Sequence, residues 1–126
     1  MMSVKVDLDQ LAAALEDFTF AYLVTVGDDY RAHTVAVEPV FADGVINVGP
    51  VGGGTRRNLA QHDGVTLVWP PSQPGGYTLI VDGTGELTDT SLLVMPSRAV
   101  LHREAAPGVS TRPGCLHDCV PLDAEV

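Results

Sequence analysis

The sequence predicts a mainly β fold, a six-stranded antiparallel barrel with one or two short helices. The chain has 126 residues, which is enough to bury one hydrophobic core and favours a single domain. Hydrophobic residues make up 45% of the sequence and charged residues 18%, so the chain can bury enough apolar surface to fold. Short runs of β-branched and aromatic residues alternate with turn residues, a pattern that is typical of small barrels.

The first elements are a helix and a hairpin. Asp7 is a favourable N-cap, and leucines recur after it at helical spacing, so a helix is predicted over residues 7–17. Two strands follow over residues 19–26 and 31–41, joined by turn residues. Pro39 lies inside the second strand and indicates an edge position or a bulge, because proline cannot donate to a strand ladder.

A third strand and a second helix come next. The strand is predicted over residues 45–48, directly after an Ala-Asp-Gly turn. A glycine-rich loop over residues 49–54 then leads into a helix over 55–62, with Thr55 as its expected N-cap. The sequence therefore predicts a loop that opens onto a short helix.

Three further strands are predicted, over residues 64–69, 77–87 and 91–102. Gly83 and Gly85 interrupt the middle one and indicate a bulge or a bend. Pro96 is expected to break the last one. The strand region thus covers residues 19–103, within a single domain over 1–103.

Residues 104–126 lack hydrophobic periodicity and are predicted to form a tail. Cys115, His117 and Cys119 lie close together in this tail and are residue types that bind zinc, and the two thiols are also a candidate redox pair. The alternative is a loose tail with no such role. Because structural zinc sites usually combine ligands from two places in a chain, no metal site is assigned.

Charge and hydropathy exclude several classes of protein. Sixteen acidic and seven basic residues give a net charge of −9, which argues against the phosphate attraction on which nucleic-acid binding depends. The sequence has no run of 18 apolar residues and no signal-peptide pattern at its start. A cytoplasmic protein that binds neither nucleic acid nor membrane is therefore expected.

Two adjacent arginines, Arg56 and Arg57, follow the glycine-rich loop. The loop differs from an ATP-binding phosphate loop, because it lacks the lysine that this motif requires. Backbone N–H groups that converge at glycines, together with guanidinium groups, still favour binding of an anion such as a phosphate monoester. The alternative is a loop with two solvated arginines.

The order of these elements resembles the pyridoxamine 5′-phosphate oxidase-like group of FMN-binding split β-barrels. The resemblance extends over about residues 8–103. It depends on three stretches taken together, which are residues 29–37, residues 55–68 with their Thr-Arg-Arg-Asn-Leu start, and residues 76–83.

The resemblance implies a homodimer that binds FMN, or a deazaflavin, across the interface between its subunits. The positions that would face the ring are Val35, Ala36 and Val37. The positions that would meet the phosphate are Gly49, Gly54, Thr55, Arg56 and Arg57. The expected activity is that of an oxidoreductase acting on a small molecule, and no catalytic acid or base is assigned. The alternative is a non-catalytic carrier or sensor of a small anion or cofactor on the same dimeric barrel.

Overall fold

The computed structural model describes residues 2–104 and 117–120. The strands are β1 (Met2–Val6), β2 (Ala21–Val26), β3 (Ala32–Val37), β4 (Val40–Ala42), β5 (Val45–Gly49), β6 (Gly64–Trp69), β7 (Thr78–Leu87), β8 (Leu92–Glu104) and β9 (His117–Val120). A 3-10 turn over Leu8–Gln10 leads into helix α1 (Leu11–Leu15), and helix α2 is Gly53–Gln61.

The strands form one sheet in the order β1-β9-β8-β7-β6-β2-β3, and β5 joins it by pairing with both β4 and β8. Apart from a single parallel contact between β1 and β9, the pairs are antiparallel. Within the described residues the sheet does not close, because β3 pairs with β2 alone. The predicted fold class of a mainly β, antiparallel split barrel is confirmed, with nine strands in place of the six expected.

One apolar cluster holds the barrel together. Alternate residues of the strands point into it, as in the buried positions of β7, Leu79 and Val81, both fully buried. Leu11 of α1 and Leu59 of α2 pack into the same cluster from outside the sheet. The two helices therefore cover the barrel core, and α2 is fixed beside β2 and β7.

Two of the additional strands have a clear physical origin. β1 was not predicted, although Val4 and Val6 alternate with polar residues and both are buried against β8. The predicted strand over 31–41 is divided at Glu38 and Pro39 into β3 and β4. Proline has no N–H to donate and ends the ladder there, whereas the sequence predicted one strand through this point with Pro39 at an edge position or a bulge.

The predicted break at Pro96 is wrong. β8 continues through this residue, and Pro96 lies opposite Gly83 while Arg98 lies opposite Asp82. Ser97 is thus the extra residue of a β-bulge, and its hydroxyl donates to the Asp82 carbonyl oxygen at 3.2 Å. The strand ladder is locally interrupted at a bulge, so a proline without an N–H can lie there and the strand continues.

The predicted N-cap of the second helix is also wrong. α2 begins at Gly53 with Gly52 as N-cap, and Thr55 lies in the first turn, where it is 1% exposed. By contrast Asp7 does cap the first helical segment, since its carboxylate accepts from the Asp9 N–H at 3.2 Å. None of the helices in the described residues combines the length and the apolar character that crossing a membrane requires.

Candidate functional site

A cleft of about 240 Å³ lies where the β2–β3 hairpin meets the first two turns of α2. Its walls come from both elements and carry polar and charged groups. The lining residues are Asp29, Arg31, Ala32, His33, Gly54, Arg57 and Asn58. The cleft is smaller than most small-molecule sites, which occupy roughly 300–1,000 Å³, so it suits a compact group such as a phosphate.

Side-chain hydrogen bonds fix the hairpin to α2. The Asn58 amide Nδ2 donates to Oγ1 of Thr25, a residue that is 1% exposed, at 3.1 Å. The Asp28 N–H donates to Gln61 Oε1 at 3.2 Å, and Asp28 Oδ1 lies 3.0 Å from His62 Nε2. These contacts join positions that are far apart in sequence, so the two walls of the cleft are held in a defined relation.

The imidazole of His33 lies against Gly54 at the start of α2. A Cβ atom at residue 54 would be 3.1 Å from His33 Cε1 and 3.2 Å from Nε2. These distances are shorter than ordinary van der Waals contacts. The absence of a side chain at Gly54 therefore makes room for the imidazole beside the first turn of the helix.

Most basic side chains of the described residues have a partner. Arg31 is paired with Asp29 at 3.9 Å, and Arg98 with Asp82 at 3.3 Å. The others with a partner are Lys5, Arg56, His62, His102 and Arg103. Among the basic side chains in the part of the chain that the structure describes, only those of His33 and Arg57 have no hydrogen bond or ion pair, and both line the cleft.

The adjacent arginines have different environments. Arg56 Nη2 donates to the Thr88 carbonyl oxygen at 3.4 Å, in the turn between β7 and β8. Arg57 is exposed and lines the cleft with His33 and Gly54. The two neighbours thus carry the same charge on the same helix, but only Arg57 is available to an anion in the cleft.

The structure separates the other residues of the predicted cofactor site. Val35 and Val37 pack against the core, whereas Ala36 points to the opposite face and is exposed beside Tyr22 of β2. Gly49 lines a different cavity, of about 700 Å³, between β4, β5 and β8. Thr55 is buried. Gly54 and Arg57 are the predicted phosphate residues that the cleft brings together.

The tail residues proposed as metal or redox groups are only partly described. Cys115 lies outside the described residues. For His117 and Cys119 the structure describes the backbone, which belongs to β9 and pairs with Glu104 and His102 of β8. The zinc and redox hypotheses therefore stay predictions.

Solved structures of low sequence identity share this fold. A Listeria innocua protein provisionally assigned as a pyridoxamine 5′-phosphate oxidase has a TM-score of 0.62 at 14% identity, over 75% of this chain and 96% of that chain. An FAD-binding protein from Mesorhizobium loti has a TM-score of 0.63 at 12% identity, over 79% and 96%. An F420 reductase has a TM-score of 0.57 at 18% identity, over 69% and 93%.

Together with the open sheet, these matches define the class: the chain is a split barrel with the fold of pyridoxamine 5′-phosphate oxidase-like proteins. No family model matches the sequence. The chain belongs to the family of the uncharacterized proteins Mb0449c of Mycobacterium bovis and MT0457 of Mycobacterium tuberculosis. It is 52% identical to each over 137 residues, which cover 95% of this chain and 96% of each relative.

The same fold also occurs with a different ligand. HutZ, the heme storage protein from Vibrio cholerae, has a TM-score of 0.56 at 13% identity, over 73% of this chain and 91% of that chain. The fold alone therefore does not determine the ligand.

Proposed function

We propose that this chain binds a flavin-type cofactor, FMN or a deazaflavin, and acts as an oxidoreductase on a small organic molecule. The observation that carries the proposal is the guanidinium of Arg57, which has no partner among the described residues and lines a cleft at the end of an edge strand. A phosphate is a strong ligand for a guanidinium.

The residues of the cleft fit a phosphate group. Arg57 offers a fork of N–H donors, and the Asn58 amide lies beside it. Because α2 begins at Gly53, the first N–H groups of this helix have no partner inside the helix and favour an anion. A phosphate bound here would be held by close contacts, since the overall negative charge gives no long-range attraction.

The ring of the cofactor would extend from the cleft along β3. Alternate residues of an edge strand direct backbone N–H and C=O groups away from the sheet. Near Val35, Ala36 and Val37 these backbone groups are suited to hydrogen bonds with the polar edge of a flavin-type ring. When bound, such a ring would supply hydride or electron transfer. The chain itself would orient the cofactor and exclude water, and no side chain is assigned as a catalytic acid or base.

A second copy of the chain completes the proposed site. β3 has no strand on its outer side within the described chain, and Tyr22 next to it is 40% exposed. An edge with exposed apolar neighbours is a surface on which another protein chain can pack. We therefore propose a homodimer with the cofactor at the interface between subunits.

Titration with FMN, riboflavin and the deazaflavin F420, followed by absorbance and fluorescence, tests the proposal. We expect FMN or F420 to bind, and Arg57→Ala to weaken that binding by about tenfold or more, because a charge-assisted contact to the phosphate is lost. Arg56→Ala is the matched control, since it removes the same charge one residue away. Absence of any spectral change with either cofactor would exclude this function.

A non-catalytic carrier or sensor of a small anion is the second candidate. The size of the cleft, about 240 Å³, favours it, because such a cleft holds a phosphate by itself. The two candidates differ in what the ring contributes to binding. A flavin site binds FMN much more tightly than inorganic phosphate, whereas an anion site binds both with similar affinity.

A further inference from the structure

His33 is the second basic side chain of the cleft that has no partner among the described residues. We propose that His33 is an anion ligand that acts with Arg57, so that the cleft binds a phosphate-like dianion more tightly as the pH falls. The inference depends on the phosphate site proposed above and adds to it a second ligand and a pH dependence. Imidazole is suited to this role because it gains its proton near neutral pH.

The position of the imidazole supports a role in the cleft. The ring lies against Gly54, at the helix start where an anion would be held, and a Cβ at residue 54 would come within 3.1 Å of it. By contrast, a Cβ at the neighbouring Gly53 would have no atom within 4 Å. The imidazole of His33 therefore occupies the space that a side chain at residue 54 would need, whereas the space beside residue 53 is open.

The charges around His33 determine the sign of the pH effect. Asp29 and Arg31 of the hairpin face the cleft, but they pair with each other at 3.9 Å. The charge that remains is that of Arg57 on α2, which has the same sign as a protonated imidazole. A bound dianion attracts a protonated imidazole more strongly than a neutral one, so by linkage a lower pH favours the bound anion.

The ligand class that follows is a tetrahedral oxyanion with two negative charges, either free or as the phosphate of a larger molecule. Sulfate is the best probe, because it keeps both charges between about pH 5.5 and about pH 8 while a histidine titrates. Comparison of FMN with riboflavin, which lacks the phosphate, then identifies the source of the anion.

The experiment measures sulfate affinity at about pH 5.5 and about pH 8 at constant ionic strength, with the imidazole C–H signals of His33 as the readout in NMR spectra. For the unaltered protein we expect about tenfold tighter binding at the lower pH, because a hydrogen bond from a charged donor is stronger than one from a neutral donor. For His33→Gln, which keeps an N–H donor but does not titrate, we expect less than about a twofold difference between the two pH values.

Two glycine variants provide a second test without removing the histidine. Gly54→Ala would place a methyl group 3.1–3.2 Å from the exposed imidazole, so the ring must shift, and we expect a smaller pH dependence than in the unaltered protein. Gly53→Ala changes the same helix turn in the same way but has room for its methyl group, so it should keep the full pH dependence. A Gly53→Ala protein that loses the pH dependence as fully as Gly54→Ala would contradict the role of the His33–Gly54 contact.

The outcomes separate this inference from the proposed function. If FMN binds in an Arg57-dependent manner while sulfate affinity is the same at both pH values, His33 is not a ligand and only the cofactor site stands. If sulfate binds with the expected pH dependence but FMN binds no more tightly than sulfate, His33 is supported as an anion ligand and the flavin-dependent function is excluded. Sulfate binding that leaves the His33 signals unmoved overturns the inference.

Discussion

The β7–β8 ribbon and the edge strand β3 differ in what their residues contact. In the ribbon, ten register pairs join the two strands, and Leu79, Val81 and Leu92 are fully buried. Within the described residues β3 has a neighbour on one side, and four of its six residues are exposed. The ribbon therefore contributes to the buried core, while β3 and the adjacent cleft expose the backbone and charged groups on which the proposed ligand site depends.

The largest expected effect lies in the ribbon, at Gly83. A Cβ there would be 2.5 Å from the Met95 carbonyl oxygen and 2.9 Å from Val94 Cγ1, so Gly83→Ala must move backbone at the bulge. We expect a loss of about 3 kcal/mol in the free energy of unfolding, measured by denaturant titration. Gly64→Ala is the control, because its methyl group would enter open space. Equal stability of the two variants would contradict the tight packing of the ribbon.

An intermediate effect is expected at Asn58, which fixes the hairpin to α2. Asn58→Ala removes the amide that donates to Oγ1 of the buried Thr25 and leaves this hydroxyl without that partner. We expect a loss of about 1–2 kcal/mol in stability. Thr25→Val removes the hydroxyl instead, and in a double-mutant cycle the two changes should be non-additive. Additive losses would mean that this hydrogen bond does not join the two walls.

The smallest effect is expected at the exposed end of the hairpin, where Asp28 lies 3.0 Å from His62. The side chains are 66% and 48% exposed, so solvent screens their attraction. Asp28→Asn should change the free energy of unfolding by less than about 0.5 kcal/mol. A loss as large as that of Asn58→Ala would show that the hairpin is held mainly by its exposed pair.

The sequence predicted most of the ribbon and only part of the cleft. The extent of β7 and the bulge near Gly83 followed from local patterns, since β-branched runs and glycines act within a few residues. Pro96 was misjudged because a bulge on β8 depends on its partner strand, which one segment of sequence does not reveal. The missing N–H of Pro39 indicated an irregularity in the predicted strand over 31–41, but not that the strand is divided there.

The cleft required knowledge of long-range contacts. Sequence analysis selected Gly54 and Arg57, but it also grouped them with Gly49, which lines another cavity. It could not distinguish Arg56 from Arg57, because the difference arises from the Thr88 carbonyl oxygen, 32 residues away from Arg56. His33 was not selected, since its contact with Gly54 arises only when the hairpin packs on α2.

The guanidinium of Arg57 is proposed to hold the phosphate of a flavin-type cofactor. The most direct measurement is the ratio of FMN affinity to riboflavin affinity in the unaltered protein, in Arg57→Ala and in Arg56→Ala. We expect FMN to bind about tenfold or more tightly than riboflavin in the unaltered protein and in Arg56→Ala, and the preference to disappear in Arg57→Ala. An equal preference for FMN in both arginine variants, or no preference in the unaltered protein, would contradict the claim.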